Sequence, residues 1–369
     1  MIYLDYQATT PLAPEVATAM APWIADQFAN PHSPSTDGRR AAAAIDIARD
    51  RVLAAVGVRN GKVAFTSGAT EALNWALKGT FERSPRRKLV TIATEHAAVL
   101  DTADWLEGQG IEVVRLSVSR EGIVDIDQAA AAIDDSTALV AAMLVNNEIG
   151  AIQPIAELAR LAHASGALML CDAVQALGRV AIPDDPDLIA VSAHKIHGPK
   201  GIGALWMRAG AEPAPLLHGG GQEQGLRSGT LSPALCVGFG TAAALATEHF
   251  AGDQTHIEQL WAVARAALGP DWTLNGSENA RYHGNLNLTG AGLDAARLLS
   301  DCRDIAFSLG SACASGSGRP SHVLRALGLT DREARSSIRL GFGRYTSEVE
   351  LISACQRLDQ AARAQRIAA

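Results

Sequence analysis

The sequence predicts an α/β fold, with a mostly parallel sheet covered by helices and a smaller α+β domain beside it. Two features of the 369-residue chain carry that prediction. Between about residues 60 and 210, short apolar runs alternate with helical patterns; after about residue 250 the alternation stops. Seven strands are expected, at 62–66, 88–93, 112–117, 138–145, 167–172, 188–192 and 202–207. Each is a short apolar run bounded by turn or polar residues. Helices fall between them, among them 70–80 and 155–165, the second stopped by Gly166. The Ala-rich tracts 41–44 and 129–132 also sit in helical patterns. Strands joined by helical crossovers give a parallel sheet with covered faces. Further on, 261–268 and 294–302 read as helical and 285–288 as a strand. Thr330 with Glu333, and Ser347 with Glu350, have capping-box spacing at the start of two late helices. The expected division is a large domain over 13–250, and a small one over 1–12 and 251–369.

Composition excludes several classes. The net charge is −7, and the densest basic cluster, Arg83 to Lys88, is broken by Ser84 and Pro85, so direct nucleic-acid binding is not expected. No apolar stretch approaches the ~18 residues of a membrane span, and the first residues lack the pattern of a signal peptide. The five cysteines are scattered, with no C-x-x-C pair. That argues against a disulfide framework or a standing metal site and for a reducing, cytoplasmic setting.

The chemistry is read from the strand ends, where open α/β sheets bind ligands. Lys195 follows the run Leu188-Ile189-Ala190-Val191 and precedes Gly198-Pro199-Lys200-Gly201. An ammonium is costly at the mouth of a buried strand; desolvation favours the neutral amine, which forms a Schiff base with an aldehyde. A lysine snorkelling off a strand end is the plain alternative. After the first strand, Thr66-Ser67-Gly68-Ala69-Thr70-Glu71 opens a helix whose N-terminus suits a phosphate, or is an ordinary cap. His96 can stack on a planar ring or move protons, or be structural. Asn147 can bond a ring hydroxyl or a substrate carboxylate, or close an Asx turn. Asp172 can pair with a protonated pyridine nitrogen, and Gln175 can reach the ring oxygen. Taken together, these groups specify a phosphate site, a stacking group, a pyridinium partner and a Schiff-base amine, the requirements of pyridoxal 5'-phosphate.

These segments resemble the NifS/IscS-type cysteine desulfurases of the class V aminotransferase group, of PLP fold type I. The likeness runs from Leu4-Asp5-Tyr6-Gln7-Ala8-Thr9-Thr10-Pro11, through Thr94-Glu95-His96, Val145-Asn146-Asn147-Glu148 and His194-Lys195, to Arg227-Ser228-Gly229-Thr230, Gly310-Ser311-Ala312-Cys313 and Ser336-Ser337-Ile338-Arg339. The resemblance implies that Lys195 is the cofactor lysine, Asp172 the pyridinium partner and His96 the stacking, proton-handling histidine. It implies a phosphate cradle of Ala69, Thr70, Ser192 and His194, joined by Thr230 from the second chain of a homodimer. Asn147 and Gln175 contact ring and substrate, and Arg339 grips the substrate carboxylate, a task suited to a bidentate guanidinium.

Cys313 selects the reaction. It lies in Gly310-Ser311-Ala312-Cys313-Ala314-Ser315-Gly316-Ser317-Gly318, small residues with little to pack, within a loop expected to be mobile over 308–321. A thiolate there can enter the pocket, take sulfur from L-cysteine as a persulfide, leave L-alanine and carry the sulfur away. Cys171, Cys236, Cys302 and Cys355 read as buried apolar residues. The loop resembles the longer-loop subgroup, which hands sulfur to a scaffold protein for iron–sulfur assembly; a transient cluster contact at Cys313 is compatible with that. Three departures stand out: Arg319 where an acid is frequent, Ala193 for a frequent glycine, and an end soon after the last helix, short of a scaffold-docking tail. Competing expectations are another class V enzyme, an aminotransferase or selenocysteine lyase, and a non-catalytic sulfur-relay protein.

Overall fold

The computed structural model describes residues 1–310 and 320–367, without the side chains of 366 and 367. Cys313 and most of its loop lie outside the described residues. The chain begins with β1 (Ile2–Tyr3), which pairs far from its neighbours in sequence. Next come β2 (Gly61–Thr66), β3 (Lys88–Ile92), β4 (Glu112–Leu116), β5 (Thr137–Met143), β6 (Leu168–Asp172), β7 (Leu188–Ser192) and β8 (Gly203–Arg208). They form one sheet in the order β2-β8-β7-β6-β5-β3-β4. β8 runs antiparallel to β2 and β7, and the other neighbours are parallel.

All seven predicted strands are therefore in this sheet, and only their ends differ. The fourth was expected to run to residue 145. It leaves the ladder after Met143, where the Leu144 N–H donates to the Asp172 carbonyl at 2.9 Å and Val145 bridges to Ile152. Alternate residues feed two cores, one on each face: Val63 and Phe65 pack on one side, Ala64 on the other. Helices Thr36–Val56, Ala69–Arg83, Ile126–Ala132 and Ile155–Ala164 match the predicted helical patterns. The last ends where Gly166 takes a left-handed φ of 74°.

A second sheet has the order β12-β13-β10-β9, from β9 (Trp272–Leu274), β10 (Asn285–Gly290), β12 (Ser308–Leu309) and β13 (Ser337–Gly341); β11 (Ile305–Ala306) pairs with β1 in parallel. Behind it is a third core in which Leu4 joins Leu286, Leu288, Ile338, Leu340 and Leu351. The helix expected at 261–268 is the end of a longer one, Phe250–Ala267. Thr330 and Glu333 close a full capping box, and Ser347 accepts the Glu350 N–H at 3.3 Å. Among the described residues no single helix is long and apolar enough to cross a membrane.

Candidate active site

The strand order places the site. From β3 the chain adds β4 on one side and then turns back to build β5, β6, β7 and β8 on the other. The crevice at such a switch point receives ligands at the carboxyl ends of the strands. His96 follows β3 and Asn147 follows β5, either side of that switch. Asp172 ends β6 and Ser192 ends β7; a short turn, Ala193–Lys195, then presents the lysine. A cavity of about 730 Å³ opens there, and Ala69, Thr70, His96, Asn147, Asp172, Gln175, Ser192, His194, Lys195 and Arg339 all line it. Thr230 is exposed and does not line it.

The Lys195 ammonium donates to the backbone carbonyls of Gln7 (2.5 Å) and Ala8 (2.8 Å), so the N-terminal segment forms one wall. Asp172 is 6 % exposed and accepts the Val174 N–H at 2.9 Å. Burial pushes its carboxyl up, against the pull of that hydrogen bond, His96 and Lys195. Glu95 behind it is fully buried, with one oxygen on the Met143 N–H at 2.7 Å, and burial pushes its acid well above the carboxylate range. The floor of the cavity therefore favours an added cation beside Asp172.

His96 Nδ1 accepts the Ala98 N–H at 3.0 Å, which caps the helix Ala97–Glu107 and leaves Nε2 as the protonated ring nitrogen when neutral. Gln175 is held at both ends: Nε2 donates to the Gln7 carbonyl at 2.9 Å, and Oε1 accepts from buried Arg179, which also donates to the Lys195 carbonyl at 2.8 Å. Burial, then the charges of Lys195, Lys200 and Arg179, lower the His194 imidazole to about 4, so it is neutral at pH 7. Its Nδ1 lies 3.1 Å from Thr9 Oγ1.

Sequence reasoning assigned no task to Asp5, Gln7, Glu95, Arg179 or Ser308. Arg339 is 4 % exposed; Nη1 donates to the Asn147 carbonyl at 3.0 Å, and Nη2 to Asp5 Oδ1 at 2.7 Å and Ser308 Oγ at 2.8 Å. The signal for Asp5 was its place just after β1, a strand too short to show a period.

The phosphate cradle is built by close packing. A methyl on Gly68, the cap of helix Ala69–Arg83, would meet no atom within 4 Å and would project into open space. A methyl on Gly203 would sit 2.7 Å from Gly68 C and Val191 O and 2.8 Å from Ala69 N. Gly203 thus lets β8 pass directly beneath the loop. Glu71 steadies that loop, accepting the Ser67 N–H at 2.7 Å and one edge of Arg227, Nε and Nη2, at 2.7 and 3.0 Å. A pyridoxal phosphate fits these groups: N–H groups at the helix N-terminus to donate to its phosphate, Asp172 to accept from its protonated ring nitrogen and Lys195 to hold its aldehyde. The four described cysteines are all buried, and burial raises their thiols, Cys236 and Cys355 to about 12. None is a ready thiolate.

The model of the aminotransferase class-V family matches residues 2–352. A cysteine desulfurase IscS of Rickettsia bellii (strain OSU 85-389) is 42% identical over 361 residues, covering 95% of this chain and 88% of its own. A cysteine desulfurase IscS of Rickettsia akari (strain Hartford) is 41% identical over 374 residues, covering 97% and 91%. Among solved structures, a NifS-like protein superposes with a TM-score of 0.90 at 30% identity over 98% of each chain. One described as SspA in complex with cysteine gives 0.81 at 35% identity over 94% of this chain and 100% of its own.

Proposed function

Because this chain belongs to the class V aminotransferase family, among its cysteine desulfurases, we propose that it takes sulfur from L-cysteine with bound pyridoxal phosphate, leaving L-alanine and a persulfide on Cys313. The observation that carries this is one cavity lined by Lys195, Asp172, His96 and Arg339. Bound there, the cofactor supplies an aldehyde that captures the amine and a ring that accepts an electron pair.

The side chains divide the remaining work. Ala69, Thr70, Ser192 and neutral His194 hold the phosphate, helped by the helix N-terminus. Asp172, kept dry, fixes the ring nitrogen in its protonated form. Gln175 presents its N–H to the ring oxygen, since Arg179 occupies its carbonyl oxygen. Asn147 touches ring and substrate, His96 stacks on the ring, and Arg339 receives the α-carboxylate. Lys195 moves the α-proton at Nζ. The Cys313 thiolate attacks the substrate sulfur: an S–S bond forms, the C–S bond breaks, and the electron pair leaves with the carbon. The substrate amine takes the proton that the Cys313 thiol gives up, because His96 Nδ1 already accepts the Ala98 N–H.

The persulfide passes to an acceptor protein, for iron–sulfur cluster assembly or another thiolation. We further propose a cytoplasmic homodimer in which Thr230 reaches the partner's phosphate site, with a large domain over 13–250 and a small one over 1–12 and 251–369. The exposure of Thr230 outside its own cavity supports that arrangement. The test is to assay alanine and sulfide from L-cysteine with a reductant present. Wild type should yield both and Cys313→Ser neither. Undiminished sulfide release by Cys313→Ser would point to an elimination reaction instead.

A further inference from the structure

We propose that Asp5 is a specificity-determining residue: a resident carboxylate on Arg339 that the α-carboxylate of the incoming amino acid has to displace. The inference rests on the assignment of Arg339 to the substrate carboxylate. Three observations carry it. Asp5 Oδ1 accepts from Arg339 Nη2 at 2.7 Å, and both residues line the catalytic cavity. Asp5 is not a loose surface acid, because Ser308 Oγ donates to the same oxygen at 2.8 Å and the Asp5 backbone bridges to Gly341 on β13. Finally, the guanidinium is left incomplete: Arg339 Nε is buried and has no hydrogen-bond partner.

The physics of the pair follows. A guanidinium 4 % exposed is costly without an anion, and Asp5 supplies one in the resting protein. A substrate carboxylate therefore meets a neutralised pair rather than a bare cation. It gains the Nε donor and has to take over Nη2. The attraction is discounted, which keeps monocarboxylate binding weak and reversible. A ligand with a second carboxylate meets the Asp5 charge as well, which excludes diacids by like-charge repulsion.

Two non-amine probes separate these effects, because neither has an amine with which to replace Lys195 on the cofactor aldehyde. One is 3-mercaptopropionate, which is cysteine without its amine. The other is 2-mercaptosuccinate, which carries a second carboxylate. Binding of each to the holoenzyme is measured by calorimetry. Asp5→Asn should tighten 3-mercaptopropionate about tenfold and 2-mercaptosuccinate by more, whereas Asp5→Glu, which keeps the charge, should retain the wild-type preference. Asp5→Ser serves as a second neutral variant if Asn impairs folding. The melting temperature of either neutral variant should rise more with 3-mercaptopropionate than that of wild type. Equal or weaker binding in the neutral variants overturns the proposal. Arg339→Lys distinguishes the premise: it should weaken both probes, and unchanged binding there overturns the role of Arg339 itself.

Discussion

Asp172 shows how a single residue is tuned for a guest. It is buried beside another buried acid, Glu95, and burial pushes its carboxyl up despite the pull of His96 and Lys195. Asp172→Asn should therefore stabilise the cofactor-free protein by about 1 kcal/mol while shrinking the extra stability that pyridoxal phosphate confers. Urea unfolding with and without cofactor reads both, and an undiminished cofactor effect would remove Asp172 from the ring nitrogen. The residues legible from sequence, Lys195, Asp172, His96 and Asn147, share one property: each stands just past an apolar run that announces a strand end. Asp5 and Arg179 were not legible in this way. Asp5 meets Arg339 across 334 positions, and Arg179 donates to a carbonyl 173 positions away. No local pattern records such a meeting.

At the scale of elements, β8 and the helix after β2 are fitted to each other through Gly203. Gly203→Ala places a carbon within 2.8 Å of three backbone atoms that cannot rotate aside. The expected cost is about 1–3 kcal/mol of stability, with a loss of affinity for pyridoxal phosphate through the displaced loop. The urea midpoint and a cofactor titration check it, and a variant equal to wild type in both would show that the strand shifts freely. Six of the seven strands of the large sheet were legible because four to seven buried residues in a row leave an apolar run, whereas β4, with Leu116 alone buried, showed itself by the pair Val113-Val114. The antiparallel direction of β8 was not, since an apolar run carries no polarity. β9, β12 and β13 escaped notice for lack of length or of a clear period, with two to five residues each.

For the whole molecule, the question is how many chains make one site. With Thr230 serving the partner, a mixture of two inactive proteins should recover activity. Lys195→Ala chains lack the amine, and Thr230→Trp chains block their partner's phosphate site. Refolded together, they form mixed dimers in which one site has both Lys195 and Thr230. Activity appearing only in the mixture supports the shared site, and a mixture as inactive as its parts would assign each site to a single chain. The same long-range stitching also sets an order of events during synthesis. β1 pairs with β11, Gln7 and Ala8 cap Lys195, and Asp5 waits for Arg339. Residues 2–8 are thus synthesised long before the partners that fix their places. At roughly 5–20 residues per second, the nascent chain carries a finished sheet, able to take up cofactor, for several seconds before it can hold an amino acid.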